Sequence, residues 1–237
     1  MDVLKAASSV LRGAKTSLWV DGLFIRKGFG MKDYVTIEGF AEDEFVEKKS
    51  RFIGYAKHVE TEEEAISFIN EMKQKHWDAT HNVYAYVLRD GQTRRYSDDG
   101  EPQGTAGIPT LDVILKEGIV DVCVVVTRYF GGILLGGGGL VRAYSQGCRI
   151  ALHAAKKLHM TPCMVLEAAV DYGFYGKLSY ILPKYNIETL YSDFGVDVVL
   201  KLMIKSERLS GFLKELTELS GGTVTPEVLE EKYADME

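Results

Sequence analysis

The chain has 237 residues, 46% of them hydrophobic, and a formal net charge of -6. That length buries a real core, as one large domain or two small ones, without metal or disulfide help. The mild acidity excludes a protein whose whole surface is a polyanion sponge, though not a local basic face. Cys123, Cys148 and Cys163 are far apart and odd in number. They exclude a disulfide framework or zinc knuckle and point to a reducing cytosol.

No apolar run is long enough to span a bilayer and no charged-then-apolar leader opens the chain, so a cytoplasmic protein with no membrane partner is expected. Residues 1–30 fit poorly with the segments after them, and Met31 reads as a natural start. This segment is read as an N-terminal extension or an expression leader and given no function.

From Tyr34 to Glu47 and from Arg51 to Val59, alternation predicts two strands joined by the polar turn Glu47-Lys48-Lys49-Ser50. Thr61, with Glu64 after it, caps a helix whose Ala65, Phe68, Ile69 and Met72 face inward. A strand follows from His81 to Leu88, ended by Asp90-Gly91. Pro109 opens a helix carrying Leu111, Ile114 and Leu115 and stopped by Gly118. Val122 to Val126 is apolar on both faces, as a covered central strand would be. A long helix from Leu140 to Leu158 buries Leu140, Tyr144, Gly147, Ala151, Ala154 and Leu158. Thr161-Pro162 ends it and begins a second domain. There strands over 164–170, 187–194, 196–204 and 223–229 and helices over 174–185 and 207–219 give βαββαβ, the ferredoxin-like pattern. The expected domains are 31–160 and 161–237, in an α+β fold.

Glycine is concentrated in two loops that each run into a helix. Gly104-Thr105-Ala106-Gly107 and Gly136-Gly137-Gly138-Gly139 stand at helix entries, where free amides attract anions. Neither the lysine-bearing P-loop nor the G-x-G-x-x-G spacing occurs, so close strand-to-helix packing explains the glycines as well as phosphate binding does. Asp98, Asp99 and Glu101 place three carboxylates together; Arg94, Arg95, Arg128, Arg142 or Mg²⁺ would have to neutralise them, unless they form a solvated turn. Arg142, Gln146, Arg149 and His153 share one helix face, and Arg128, Tyr129 and Phe130 end the preceding strand. Arginine forks beside aromatic rings grip a phosphate backbone and stack an unpaired base. His76, His81 and Asp78 lack metal spacing and read as structural. Cys123 and Cys148 read as buried apolar groups, and no catalytic residue is assigned.

The segments DDGEPQGTAG (Asp98 to Gly107) and VVVTRYFGGILLGGGGLVRAY (Val124 to Tyr144) resemble the signature of the YigZ/IMPACT family. Roughly Glu47 to Leu158 is similar to its N-terminal domain, and Met164 onward to the small second domain of its bacterial members. The resemblance implies a ribosomal-protein-S5-domain-2-like fold followed by a ferredoxin-like domain, a pairing similar to the last two domains of elongation factor G. Eukaryotic relatives regulate translation, and no established reaction is implied. The expectation is a non-catalytic protein that binds RNA, the ribosome or a protein partner of the translation machinery, with no resident cofactor. Arg128, Arg142 and Arg149 would contact phosphates, with Gly136 to Gly139 beside them, while Tyr129 and Phe130 pack or stack. The loop Asp98, Asp99, Gly100, Glu101, Pro102, Gly104, Thr105, Gly107 would shape the site. Two alternatives stay open: an enzyme acting on a phosphorylated small molecule with Mg²⁺ on Asp98, Asp99 and Glu101, and a protein-interaction module.

Overall fold

The computed structural model describes residues 31–236 and, as backbone alone, an antiparallel pair formed by β1 (Ser17–Val20) and β2 (Leu23–Arg26). The reading of residues 1–30 as an extension or leader otherwise lies outside the described residues. From Tyr34 onward the chain divides into two units, residues 34–160 and 161–236.

The first unit opens with β3 (Tyr34–Ile37) and β4 (Phe40–Glu47), two strands where alternation predicted one. Gly39 at φ 61 breaks the run between them. β5 (Ser50–His58) follows a turn in which Lys48 and Lys49 both take positive φ, the geometry that suits a two-residue hairpin. α1 (Glu62–Lys75) starts where the capping residues put it: the Glu64 amide donates to Thr61 Oγ1 at 3.2 Å, and the Glu64 carboxylate accepts from the Glu60 amide at 2.7 Å. β6 (His81–Val87) pairs with β7 (Arg94–Ser97), an edge strand that alternation did not reveal. α2 (Gly107–Glu117) ends at Gly118 in the left-handed region, and it buries Val113 and Ile114 while Leu115 is exposed. β8 (Val122–Tyr129) leads to α3 (Gly137–Ala154), which begins three residues before the expected start.

The sheet order is β4-β5-β8-β6-β7, and every pairing in it is antiparallel. β8 lies at its centre, which is why its sequence is apolar on both faces. Val122, Val124 and Val126 join Ile114, Tyr144, Cys148 and Leu152 in one core, while Cys123 and Val125 join Tyr55, Phe68, Ile69 and Met72 in the other. α3 can reach this sheet closely because glycines meet. A Cβ built on Gly54 of β5 would fall inside the van der Waals shell of the Gly147 carbonyl oxygen, and one on Gly147 would lie 2.8 Å from Val126 Cγ1.

α3 ends at Ala154, about one turn before the expected Leu158, because the chain enters β9 (Lys157–Val170) almost at once. Leu158 therefore belongs to a strand, where it pairs with Thr36 of β3, and Ala154 is exposed. Pro162, expected to begin a domain, sits within β9 between the end of its pairing with β3 at Met160 and the start of its pairing with β11 at Cys163. Neither of those ladders needs the N–H that proline lacks.

The second unit continues with α4 (Tyr172–Ile181), a 3-10 turn at Pro183–Tyr185, β10 (Glu188–Phe194), β11 (Val198–Lys205), α5 (Leu209–Ser220) and β12 (Glu227–Asp235). Its strands are ordered β10-β11-β9-β12. Leu166, Val170, Val198, Leu200 and Ile204 pack against Phe174, Leu178, Phe212 and Leu216 of the two helices. Both units are thus mixed α and β with antiparallel sheets.

Glycine packing separates two substitutions. Gly54→Ala is expected to lower the stability of the first unit by about 1–3 kcal/mol, since the facing atom is backbone. Gly176→Ala, with nothing within 4 Å of its Cβ position inside α4, is expected to be neutral or to gain up to about 1 kcal/mol. Urea unfolding midpoints of the two variants test the contrast.

Candidate functional site

The three carboxylates of the first glycine loop diverge, each to its own partner. Asp98 turns back onto the start of α2: its Oδ1 accepts from the amides of Ala106 at 3.1 Å and Gly107 at 2.8 Å, and its Oδ2 from Gly104 at 2.9 Å. Burial pushes this carboxyl up, but the three amide donors outweigh it and hold it below the usual aspartate value. Asp99, at φ 45, accepts from Lys73 Nζ at 2.7 Å and from the Asn82 amide at 2.6 Å. Glu101 is 8% exposed and receives Arg128 Nη1 at 2.5 Å and the Tyr144 hydroxyl at 2.8 Å on the same oxygen. His81 closes the cluster, donating from Nδ1 to the Asp99 carbonyl at 2.8 Å, which leaves Nε2 3.7 Å from Glu101.

Two expectations change here. Of the four arginines considered as counter-charges, Arg128 alone serves; Lys73 and backbone amides neutralise the other two carboxylates. The Mg²⁺ alternative required Asp98, Asp99 and Glu101 to converge, and among the described residues no group of three His, Cys, Asp or Glu is arranged to hold a metal ion. The amides of Gly104, Ala106 and Gly107, expected to attract a ligand anion, already hold the Asp98 carboxylate. Gly107 also lies where a Cβ would press within 2.8 Å of Ser97 backbone and Tyr96, so its role is close packing. Gly100 at φ 90 and Gly104 at φ 75 make the turns that bring Pro102 and Thr105 round to α2.

The second glycine loop is different. Gly136 at φ 74 precedes α3 with no side-chain cap, and Gly137 and Gly138 are exposed, so the first-turn amides of an 18-residue helix face outward. A Cβ on Gly137 would lie 4.0 Å from Thr105 Cγ2, which places the two loops side by side, and one on Gly138 would lie 3.8 Å from Arg142 Nη1. Gly131 backs directly onto Lys49 of the β4–β5 turn, and its amide donates to Ser50 Oγ at 3.2 Å. The turn that holds Lys48 and Lys49, read from sequence only as a polar turn, therefore meets this loop through Lys49. Their separation from it in the chain leaves no local spacing by which to find them.

The expected phosphate-binding residues separate into buried and exposed. Arg128 is 5% exposed, held by Glu101 and flanked by the rings of Phe52 and Phe130, each 5.4 Å from its guanidinium carbon. It is a scaffold ion and does not present itself to a phosphate. Tyr129 is half-buried; its hydroxyl takes His76 Nδ1–H at 2.8 Å and donates to Asp78 at 3.1 Å, while the Tyr55 hydroxyl donates to His76 Nε2 at 2.6 Å. Burial lowers the His76 pKa, so the neutral ring bridges two tyrosines and is structural. Phe130 remains exposed. So do Arg142, Gln146, Arg149 and His153 along one face of α3; His153 lies 3.4 Å from Glu117, and among the described residues neither arginine has a carboxylate within ion-pair range. From Val122 to Met160 the chain contains no Asp or Glu. Beside this basic face the loop exposes Ile133 and, at 82%, Leu134.

The scaffold yields two testable outcomes. Glu101→Ala strands the buried Arg128 charge and is expected to cost about 3–5 kcal/mol in urea unfolding. Asp98, held low in the folded state, stabilises above the unfolded aspartate pKa, and that contribution is lost as pH falls through the folded value. Melting temperature should therefore drop more steeply below about pH 4 in the wild type than in Asp98→Asn, which lacks the titrating carboxyl.

Comparison with known proteins covers both units. Residues 48–152 match the Impact N-terminal domain, and residues 169–223 match a domain of unknown function, DUF1949. A Bacillus subtilis protein named IMPACT family member YvyE is 37% identical over 193 residues, 81% of this chain and 89% of that one. IMPACT family member YigZ of Escherichia coli is 34% identical over 187 residues, 78% of this chain and 92% of that one. A crystal structure of a hypothetical protein, 32% identical, superposes at a TM-score of 0.54 over 85% of this chain and all of that chain. On matches of that identity and extent, the chain belongs to the IMPACT family.

Proposed function

We propose that the protein is a translation-associated regulator that binds RNA on the ribosome through the exposed face of α3 and the glycine loop before it, without a chemical step. The observation that carries this reading is the carboxylate-free stretch from Val122 to Met160, which presents Arg142 near the open amide end of α3 and Arg149 two turns further along the same face. The two arginines are seven residues apart, about 10.5 Å along one face of the helix, a spacing that lets both reach the phosphates of one backbone. Phe130 supplies an exposed ring for stacking, and Lys48 and Lys49 extend the cationic rim. Arg128, Tyr129 and the Asp98–Gly107 loop hold this surface in shape. The translation assignment itself comes from the family resemblance.

The fold supports the same direction. The βαββαβ order of the second unit and its strand order β10-β11-β9-β12 favour a ferredoxin-like domain. We take the first unit as S5-domain-2-like, the pair then resembling the last two domains of elongation factor G. Residence in the cytoplasm accords with three free, buried cysteines; burial pushes the thiols of Cys123 and Cys148 up and keeps them inert. Among the described residues no helix is long and apolar enough to cross a membrane. A protein partner at the same loop is the second reading, favoured by the exposure of Ile133 and Leu134. Divergent carboxylates give the Mg²⁺ enzyme no comparable support.

Co-sedimentation with ribosomes on sucrose gradients tests the reading. Wild-type protein is expected to travel with ribosomes at low salt and to dissociate steeply as salt rises, and Arg142→Glu, Arg149→Glu to remain at the top with an unchanged melting temperature. Equal binding by the double variant removes α3 as the contact surface. A salt-independent association lost instead in Leu134→Asp favours the protein partner.

A further inference from the structure

In the second unit β10 is the terminal strand of its sheet. Among the described residues it pairs with β11 alone, so one side of its backbone offers unpaired donors and acceptors. All seven of its residues are exposed. Register with β11 sorts their side chains. Ser192 and Phe194 lie opposite Leu200 and Val198 on the helix-covered face, where Phe194 meets Tyr175 edge-on at 5.5 Å. Glu188, Tyr191 and Asp193 lie opposite Met203, Lys201 and Val199 on the other face, which continues through β9 as Val165, Glu167 and Ala169. Val165 and Met203 are buried, so the exposed part of that face is the part nearest the β10–β11 turn.

Two properties of this edge decide what it fits. It is apolar and aromatic: Tyr191 is 59% exposed, Phe194 54%, and Val196 in the turn 96%. It is also acidic toward the turn, with Glu167, Glu188 and Asp193 around Lys201 and Asp197 in the turn itself, while Lys205 stands at the far end of the same face of β11. A polyanion is repelled by that charge. A second copy of the same edge would bring Glu188 and Asp193 against their equivalents, and the register shift between Thr189 and Tyr191 further spoils self-pairing. An incoming strand with cationic side chains alternating with apolar ones satisfies both properties.

We propose that β10 and the acidic face beside it take an extended basic segment of a partner protein, added as an outer strand. Backbone hydrogen bonds to the free edge hold it, Phe194 packs its apolar positions on the helix-covered face, and Glu188, Asp193 and Glu167 select its charge on the other, where Tyr191 lies along the stems of its cations. This surface is separate in residues from the α3 face.

Amide hydrogen exchange of the full chain tests the assignment, with a Lys-Val alternating octapeptide, its Glu-Val counterpart and oligouridylate as probes. The Lys-Val peptide is expected to slow exchange of the β10 amides, an effect that weakens with salt. Glu188→Lys, Asp193→Lys, both exposed, should reduce its affinity at least about tenfold without moving the melting temperature. Arg142→Glu, Arg149→Glu should leave it unchanged, so the result stands whether or not ribosomes are bound through α3. The inference is overturned if the Glu-Val peptide or the RNA protects β10 equally. Protection confined to other segments, or β10 amides equally slow with no peptide, also overturns it.

Discussion

The buried pair of Glu101 and Arg128 is the contact on which the first unit's candidate surface depends. A guanidinium and a carboxylate removed from water together cost several kcal/mol each in desolvation, and only mutual attraction with added hydrogen bonds offsets that. Here Tyr144 supplies a second donor to Glu101 at 2.8 Å, and the rings of Phe52 and Phe130 sandwich the arginine. The pair joins three elements: the first glycine loop through Glu101, the central strand through Arg128 and the long helix through Tyr144. The second glycine loop leaves β8 just beyond Arg128, so its starting direction is set by the same contact. Arg128 Nη2 also reaches Ser50 Oγ at 3.4 Å, which ties the start of β5 to the same cluster.

Close backbone approach is the second constraint. Gly54 and Gly147 let α3 rest on β5, Gly107 fits against Ser97, and Gly131 fits against Lys49. At these positions glycine is required by a neighbouring backbone, and a ligand is not needed to explain it. The helix entry that remains open is the one at Gly137 and Gly138, because the other is filled by Asp98. One glycine-rich motif therefore contains both a closed, internally capped helix start and an exposed one.

Charge is distributed unevenly along the chain. The central segment from Val122 to Met160 has no carboxylates, while the β10 edge of the second unit gathers them. A net charge of -6 conceals both. Two surfaces of opposite character within one chain are the basis of the two partners proposed above, one polyanionic and one basic.

Much of the secondary structure was legible in the sequence because local signals carry it. The Thr61 cap, the inward set Ala65, Phe68, Ile69 and Met72, the left-handed stop at Gly118 and the two-faced apolar run of β8 all rest on neighbours within a turn or a strand. The βαββαβ order comes from the same periodicities, with boundaries moved where a strand, as at Leu158, took over from a helix. The sequence by itself thus determined most of the helices and strands, though not the edge strand β7 or the break between β3 and β4, together with the family they belong to and the overall charge. Tertiary structure decided which charged residues are scaffold and which are surface. Arg128 and Arg142 look alike in sequence, but β8 is covered on both sides and α3 on one, so burial forces the first to find Glu101 and leaves the second in water. Burial depends on strands brought together across the chain, and no local pattern encodes it.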